Sequence, residues 1–276
     1  MDAVFEAIIL GIIQGLTEFI PISSSAHLRL AGEVFPNAID PGAMFTAITQ
    51  IGTELAVLIY FRKDIARIIS AWFVSLSNKN ARNQDSKMGW LIIVGSVPIV
   101  VIGYLAQDLI TTELRSLWII ATMMVVFGLV LGAVDRFGGK TKELSELNVK
   151  HGILYGLAQS LALIPGVSRS GATIAMGRYL GYSREAALRY SFLLALPAVF
   201  GSGFYQLQSA LSENQVAVYS LSETLVATVI AFAVGYLVIA WLLKFVTTKS
   251  FAPFIIYRVA LGSAVLVLLA TGVLQP

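Results

Sequence analysis

The stretch GIIQGLTEFIPISSSAHLRLAG, residues 11–32, decides how this chain is read. It begins as an apolar helix and is interrupted at Pro21. Three serines (Ser23, Ser24, Ser25), a histidine (His27) and an arginine (Arg29) then follow in quick succession. Gln14 and Glu18 stand just before the interruption, four residues apart and therefore on one helical face. Lipid offers such groups no partners, so their presence in an apolar setting calls for a reason.

The setting is apolar throughout. Of the 276 residues, 57% are hydrophobic and 13% charged, whereas soluble domains carry about a quarter charged residues. Apolar runs at 43–61, 88–106, 116–134, 186–208, 224–243 and 251–273 each approach the ~20 residues that cross a bilayer. The expectation is an all-α, polytopic membrane protein with six transmembrane helices, forming one integral membrane domain over 1–276. No basic segment precedes the first apolar run, whose early charges are Asp2 and Glu6, so the spans are expected to act as their own insertion signals. The absence of cysteine excludes disulfides, thiolate metal sites and cysteine nucleophiles. A net charge of +3 in so apolar a chain points to membrane lipids and not to nucleic acid as partner.

Charge placement orients the spans, because Lys and Arg collect in cytoplasmic loops. The loop 62–87 carries Arg62, Lys63, Arg67, Lys79, Arg82 and Lys87. The loop 136–150 carries Arg136, Lys140, Lys142 and Lys150, and the loop 244–250 adds Lys244 and Lys249. Against these, 107–115 and 209–223 offer Arg115 alone. With the first three loops inside, the span 43–61 starts outside near Asp40, and both termini lie outside. The segment 1–41 must then enter and leave on the outer face as a re-entrant hairpin. By the same count 151–185 dips in from the inner face.

Two hairpins entering from opposite faces imply an inverted-topology repeat. Shifted by 145 residues, 11–32 lies over GLAQSLALIPGVSRSGATIAMG (156–177). Gly11, Gln14, Leu16, Ser23, Ser25 and Gly32 meet Gly156, Gln159, Leu161, Ser168, Ser170 and Gly177. The repeats run over approximately 1–135 and 150–276. In such architectures broken helices build a site near the bilayer midplane.

The two tips divide the chemistry of an oxyanion site. In the second, Pro165-Gly166 ends one half-helix, and Ser168, Ser170 and Gly171 open the next. Amides and dipole at a helix start favour an anion, and Arg169 adds a planar fork suited to phosphate. In the first, a serine needs a base beside it, and His27 lies within four residues of all three serines. Glu18 can orient the imidazole or hold a divalent cation that bridges a diphosphate. The competing account treats the serines as helix-packing groups, His27 as a structural histidine and Glu18–Arg169 as a simple neutralising pair. It has to hold in both tips at once, which makes it the weaker. His151, at a loop boundary, is expected to be solvated.

Other motifs fail. GGKT (138–141) has Val134 where a phosphate-binding loop needs glycine, and no His-Glu-x-x-His occurs. A faint similarity to acid-phosphatase-like lipid phosphatases ends at a missing residue, since no histidine follows Arg169.

Taken together, QGLTEFIPISSSAH and PGVSRSGAT resemble the bacterial undecaprenyl-diphosphate phosphatases of the bacitracin-resistance type. The likeness extends through FTAITQIGTELAV (45–57), SFLLALPAVFG (191–201) and FAPFIIYRVALG (251–262). The resemblance implies a plasma-membrane hydrolase that removes the terminal phosphate of a polyprenyl diphosphate. The product is the monophosphate carrier used in cell-wall assembly. It further implies a site open to the extracytoplasmic side and a divalent cation, magnesium or calcium. Carried over by position, Ser24 is the proposed nucleophile, His27 the essential histidine and Glu18 the second acid of an acid-pair motif and a possible metal ligand. Arg169, Ser168, Ser170, Gly171 and Thr173 form the diphosphate-binding loop, with Ser23 and Ser25 facing it. Gln14, Gln50 and Arg258 are supporting residues. Gln14 stands where many members have Glu, and an amide is neither a base nor an ionised ligand, which weakens a two-carboxylate metal site. The runner-up function is a secondary transporter or lipid flippase built on the same inverted repeat. Gly128 and Gly132 leave helix packing open, within one chain or in an oligomer.

Overall fold

Residues 3–35, 41–106, 109–110, 113–138, 141–212 and 218–275 are described in the computed structural model, and they are overwhelmingly helical. The order is α1 (Ala3–Thr17), α2 (Ser24–Gly32), α3 (Gly42–Tyr60), α4 (Arg62–Ser77), α5 (Gln84–Leu105), α6 (Leu117–Phe137), α7 (Val149–Ser160), α8 (Arg169–Tyr179), α9 (Arg184–Ser212), α10 (Leu221–Thr248) and α11 (Ala252–Ala270). Among the described residues, α5, α6, α9, α10 and α11 are each long and apolar enough to cross a membrane, and a sixth crossing results if α3 and α4 count as one. The chain is thus a polytopic membrane protein. Asp40 and Lys140, which helped to set the expected topology, lie outside the described residues.

The expected loop 62–87 needs correcting. Its first part is helix α4, set at 80° to α3. The reason is in the sequence: Ile65, Ile68, Ile69, Trp72, Phe73 and Leu76 recur at helical spacing, and Arg62, Lys63 and Arg67 stand off that stripe. Ile68 is buried in the core while Arg67 is exposed and pairs with Asp64 and Asp85. The chain turns at Phe61, which leaves helical geometry with φ −94° and ψ 14°.

Two stretches are broken into half-helices as the sequence suggests, α1/α2 across 18–23 and α7/α8 across 161–168. Each second half starts at a serine with left-handed backbone, Ser23 (φ 75°) and Ser168 (φ 72°), the two non-glycine residues of positive φ among those described. Such a conformation costs on the order of 1–3 kcal/mol and persists only where the surroundings enforce it. Both serines repay part of it as N-caps: Ser23 Oγ accepts from the Ala26 amide (3.4 Å) and Ser168 Oγ from that of Gly171 (3.1 Å).

The packing is reciprocal. α1 lies along α10, and α7 lies along α5; α3 packs on α9, and α6 on α11. Gly11 seats α1 so closely on α10 that a β-carbon there meets Ala227 O at 2.6 Å, and Gly156 seats α7 on the Gly95 backbone of α5. Gly128 and Gly132 face Val259 and Ile255 of α11, so both small residues serve packing inside the chain. At one end of the bundle, buried Asp135 of α6 accepts from Arg178 Nε (3.0 Å), Arg184 Nε (2.8 Å) and the Phe251 amide (3.4 Å), tying α8, α9 and α11 together.

Candidate active site at the meeting of the two broken helices

Arg169, the first residue of α8, reaches across to the other hairpin. A single guanidinium nitrogen, Nη2, donates to Glu18 Oε1 at 2.7 Å and to Glu54 Oε1 at 2.5 Å. Both carboxylates are buried. Glu18 Oε2 accepts in turn from Gln14 Nε2 (2.8 Å) and from Ser24 Oγ (2.6 Å). The expected proximity of the tips is therefore met in atomic detail by Gln14, Glu18, Ser24 and Arg169. The neutralising Glu18–Arg169 pair exists, but within a larger network that also holds a serine hydroxyl. Two acidic side chains thus share one guanidinium nitrogen.

The local sequence explains the placement. Gln14 lies in the last turn of α1 and Glu18 directly follows it, its amide still donating to Gln14 O at 3.0 Å, while Ser24 is the first residue of α2 and points back over the Pro21 break. Ser23 Oγ and Ser25 Oγ are 3.2 Å apart, as are Ser168 Oγ and Ser170 Oγ in the other tip. Ser170 Oγ also reaches the carbonyls of Glu18 and Ile20 at 3.4 Å, which locks one tip against the other.

Arg258 of α11 is fully buried, and among the described residues its guanidinium bonds only to carbonyls: Pro21 (3.0 Å), Gly166 (2.8 Å), Val167 (3.0 Å) and Met124 (3.0 Å). It clamps both breaks to α6, a firmer role than the supporting one expected of it.

Four expectations change. His27 is not the group beside the serine hydroxyl: Nδ1 faces Ser23 O at 2.7 Å and Nε2 faces Tyr257 OH at 2.9 Å, while Ser24 is held by Glu18. The α2 turn places His27 one helical turn beyond Ser23, so its near nitrogen meets that carbonyl first. Thr173 is turned away from the cluster: its hydroxyl is fully buried, donating to Arg169 O (2.8 Å) and meeting Ser191 Oγ at 2.6 Å. Gln50, one turn before Glu54, makes no side-chain hydrogen bond among the described residues, and its carbonyl accepts from Thr53 Oγ1. His151, expected to be solvated, stands in the first turn of α7 with Nδ1 2.6 Å from Tyr182 OH.

Sequence reasoning missed Glu54 and Tyr257. Glu54 was open to the criterion that singled out Glu18, an acid inside an apolar run. Tyr257 carries no such signal, because tyrosines are common in membrane helices.

The oxygen-rich character of the cluster bears on metal binding. No group of three His, Cys, Asp or Glu among the described residues forms a ready-made cage. Yet Glu54 Oε2 and Gln14 Oε1 are buried acceptors without a hydrogen-bond partner among the described residues. With Glu18 they form an all-oxygen donor set that fits a hard cation held jointly by a few protein oxygens and a phosphate.

Residues 7–264 match the family model described as bacitracin resistance protein BacA. The chain is 60% identical over 272 residues, 98% of both chains, to an undecaprenyl-diphosphatase of Paenarthrobacter aurescens. It is 59% identical over 272 residues, again 98% of both, to one from Micrococcus luteus. An undecaprenyl-diphosphatase of Thermobifida fusca is 54% identical over 275 residues, 99% of this chain and 93% of its own. The match spans both tips, α3 with Glu54 and most of α11, and the chain belongs to the bacitracin resistance protein BacA family.

Proposed function

We infer that this membrane protein is an undecaprenyl-diphosphatase, removing the terminal phosphate of undecaprenyl diphosphate and so recycling the monophosphate carrier for cell-wall synthesis. Bacitracin resistance accompanies that activity in the family. The observation that carries the reading to particular residues is Arg169 Nη2 held between Glu18 and Glu54, with Ser24 donating to the same Glu18.

The chemistry follows from that arrangement. Arg169 exchanges a carboxylate for a phosphate oxygen and holds the diphosphate in line, positioning and charge stabilisation being the main demands of phosphoryl transfer. Ser24 Oγ attacks the terminal phosphorus and passes its proton to Glu18 Oε2. The bridging P–O bond breaks, and the lipid monophosphate leaves. Water then hydrolyses the Ser24 phosphoester, and Glu18 returns the proton to Oγ. His27, directed at Tyr257 and not at Ser24, serves proton transfer at the opposite edge of the site.

A diphosphate entering a cluster already rich in carboxylate needs positive charge. A divalent cation, magnesium or calcium, supplies it when bound, and Glu18, Glu54 and Gln14 Oε1 are the groups suited to hold it. Glu54 thereby takes the place of the second carboxylate that Gln14 lacks. The reading includes an inverted repeat with re-entrant hairpins, supported by the matched Ser23 and Ser168 caps and the reciprocal helix pairs. It places both termini outside and opens the site to the extracytoplasmic face of the bacterial plasma membrane, as the Lys and Arg distribution favours. A transporter has no use for a serine hydroxyl aimed at a buried carboxylate, which ranks that alternative second.

The test is phosphate release from undecaprenyl diphosphate by the purified chain in detergent, with and without EDTA, beside Arg169→Ala. Metal-dependent release that disappears in the variant supports the assignment. Release unaffected by Arg169→Ala overturns it.

A further inference from the structure

Tyr257, the hydrogen-bond partner of His27, is left without a role by the phosphoryl chemistry above. The imidazole and phenol rings are nearly parallel, 14° apart in plane with centroids separated by 5.6 Å. His27 Nδ1 lies 2.7 Å from Ser23 O. A carbonyl oxygen only accepts, so Nδ1 carries the proton and the neutral ring is left with its lone pair on Nε2. That lone pair faces Tyr257 OH at 2.9 Å, and the phenol donates to it. The one nitrogen of His27 able to take or give a proton is therefore the one that Tyr257 covers.

The phenol is held in place from behind. Arg258, the next residue, is anchored to the carbonyls of Pro21, Gly166 and Val167. Adjacent helical residues differ by about 100° in direction, so the anchor that buries Arg258 under both tips delivers Tyr257 to the flank of α2. Tyr257 is 46% exposed, whereas Glu18 and Ser24 are buried.

We propose that Tyr257 is a positioning residue of the phosphatase reaction, its hydroxyl fixing the tautomer and the direction of His27 until a protonated phosphate oxygen of the substrate takes its place as donor to Nε2. The proposal rests on the undecaprenyl-diphosphatase reading and adds a residue to it. It divides labour within the first tip: Ser24 answers to Glu18, and His27 answers to Tyr257.

The discriminating variant is Tyr257→Phe, which keeps the ring and its stacking and removes only the hydroxyl. One net hydrogen bond at the proton-transferring His27 corresponds to a fall in kcat of about five-fold, with KM changed less than about two-fold because the phenol does not hold substrate. A merely space-filling tyrosine predicts no change at all. A second readout needs no turnover. The chain has two histidines, so ¹⁵N-histidine labelling of protein carrying His151→Gln leaves one imidazole. Its Nε2 resonance reports a hydrogen-bonded lone pair in the parent and moves to the free position in Tyr257→Phe. A Phe variant with parental kcat and an unmoved resonance overturns the proposal. A parent that releases no phosphate overturns the phosphatase reading instead, and the resonance then still decides whether the phenol holds His27.

Discussion

Ser23 and Ser168, 145 residues apart in sequence, hold the same left-handed backbone, with φ 75° and 72°, and each caps the second half of a broken helix. Strain and capping act oppositely at these positions. Alanine loses the cap and keeps the strain; glycine loses the cap and relieves the strain. At both sites, then, alanine is expected to destabilise by about 1 kcal/mol or more and glycine by distinctly less. Thermal unfolding of the purified variants in detergent gives the order, and alanine variants as stable as the glycine ones would sink the argument.

Arg169 is the sole cation hydrogen-bonded to Glu18 and Glu54 among the described residues. Removing it leaves two buried carboxylates facing one another, a loss of roughly 3 kcal/mol or more. Arg169→Met is expected to be inactive and markedly unstable. Adding Glu54→Gln to it removes one of the two charges and restores much of the lost stability without restoring phosphate release. Unfolding and activity measured on the single and double variants separate the two effects. A double variant no more stable than Arg169→Met would show that the carboxylates do not oppose one another.

His151 supplies a control outside the membrane-spanning segments. Its pKa is held below the usual 6.5, first by partial burial and then by the charges of Lys142 and Lys150. A depressed histidine binds fewer protons folded than unfolded. Its contribution to stability is fully present above pH 6.5 and is lost as the pH falls below that value towards the folded pKa. His151→Gln should therefore flatten the acid side of the stability profile near pH 6 and leave phosphate release at neutral pH unchanged. A variant that loses turnover would assign this histidine to the reaction.

What could be read from the sequence was whatever breaks a strong local pattern. Polar residues inside apolar runs marked Glu18, His27 and Arg169, and proline and glycine marked both helix breaks. Spans showed as uninterrupted hydrophobicity, although α4 was missed because its basic residues imitate a loop. What could not be read was direction. His27 is near three serines in sequence, but the helix turns its free nitrogen to Tyr257, 230 residues away. Thr173 sits in the loop motif yet points into the α9 contact. Sequence spacing sets neighbourhood along one helix, whereas partners on other helices depend on packing.

Arg258 provides the sharpest test of how the two tips are held. Its guanidinium spreads across four carbonyls from three segments, and no carboxylate among the described residues is a hydrogen-bond partner. An ammonium on a lysine stem carries the same charge but has three donors and no planar fork. If charge alone matters, Arg258→Lys keeps both stability and turnover. If the fork matters, the lysine leaves at least one buried carbonyl unpaired, at about 1–3 kcal/mol, and lets the breaks drift apart. The second result is expected: a lower unfolding temperature together with a fall in kcat, since the Ser24–Glu18–Arg169 geometry depends on both tips. A lysine variant with parental kcat would place the rigidity of the site in the serine caps and the glycine contacts instead.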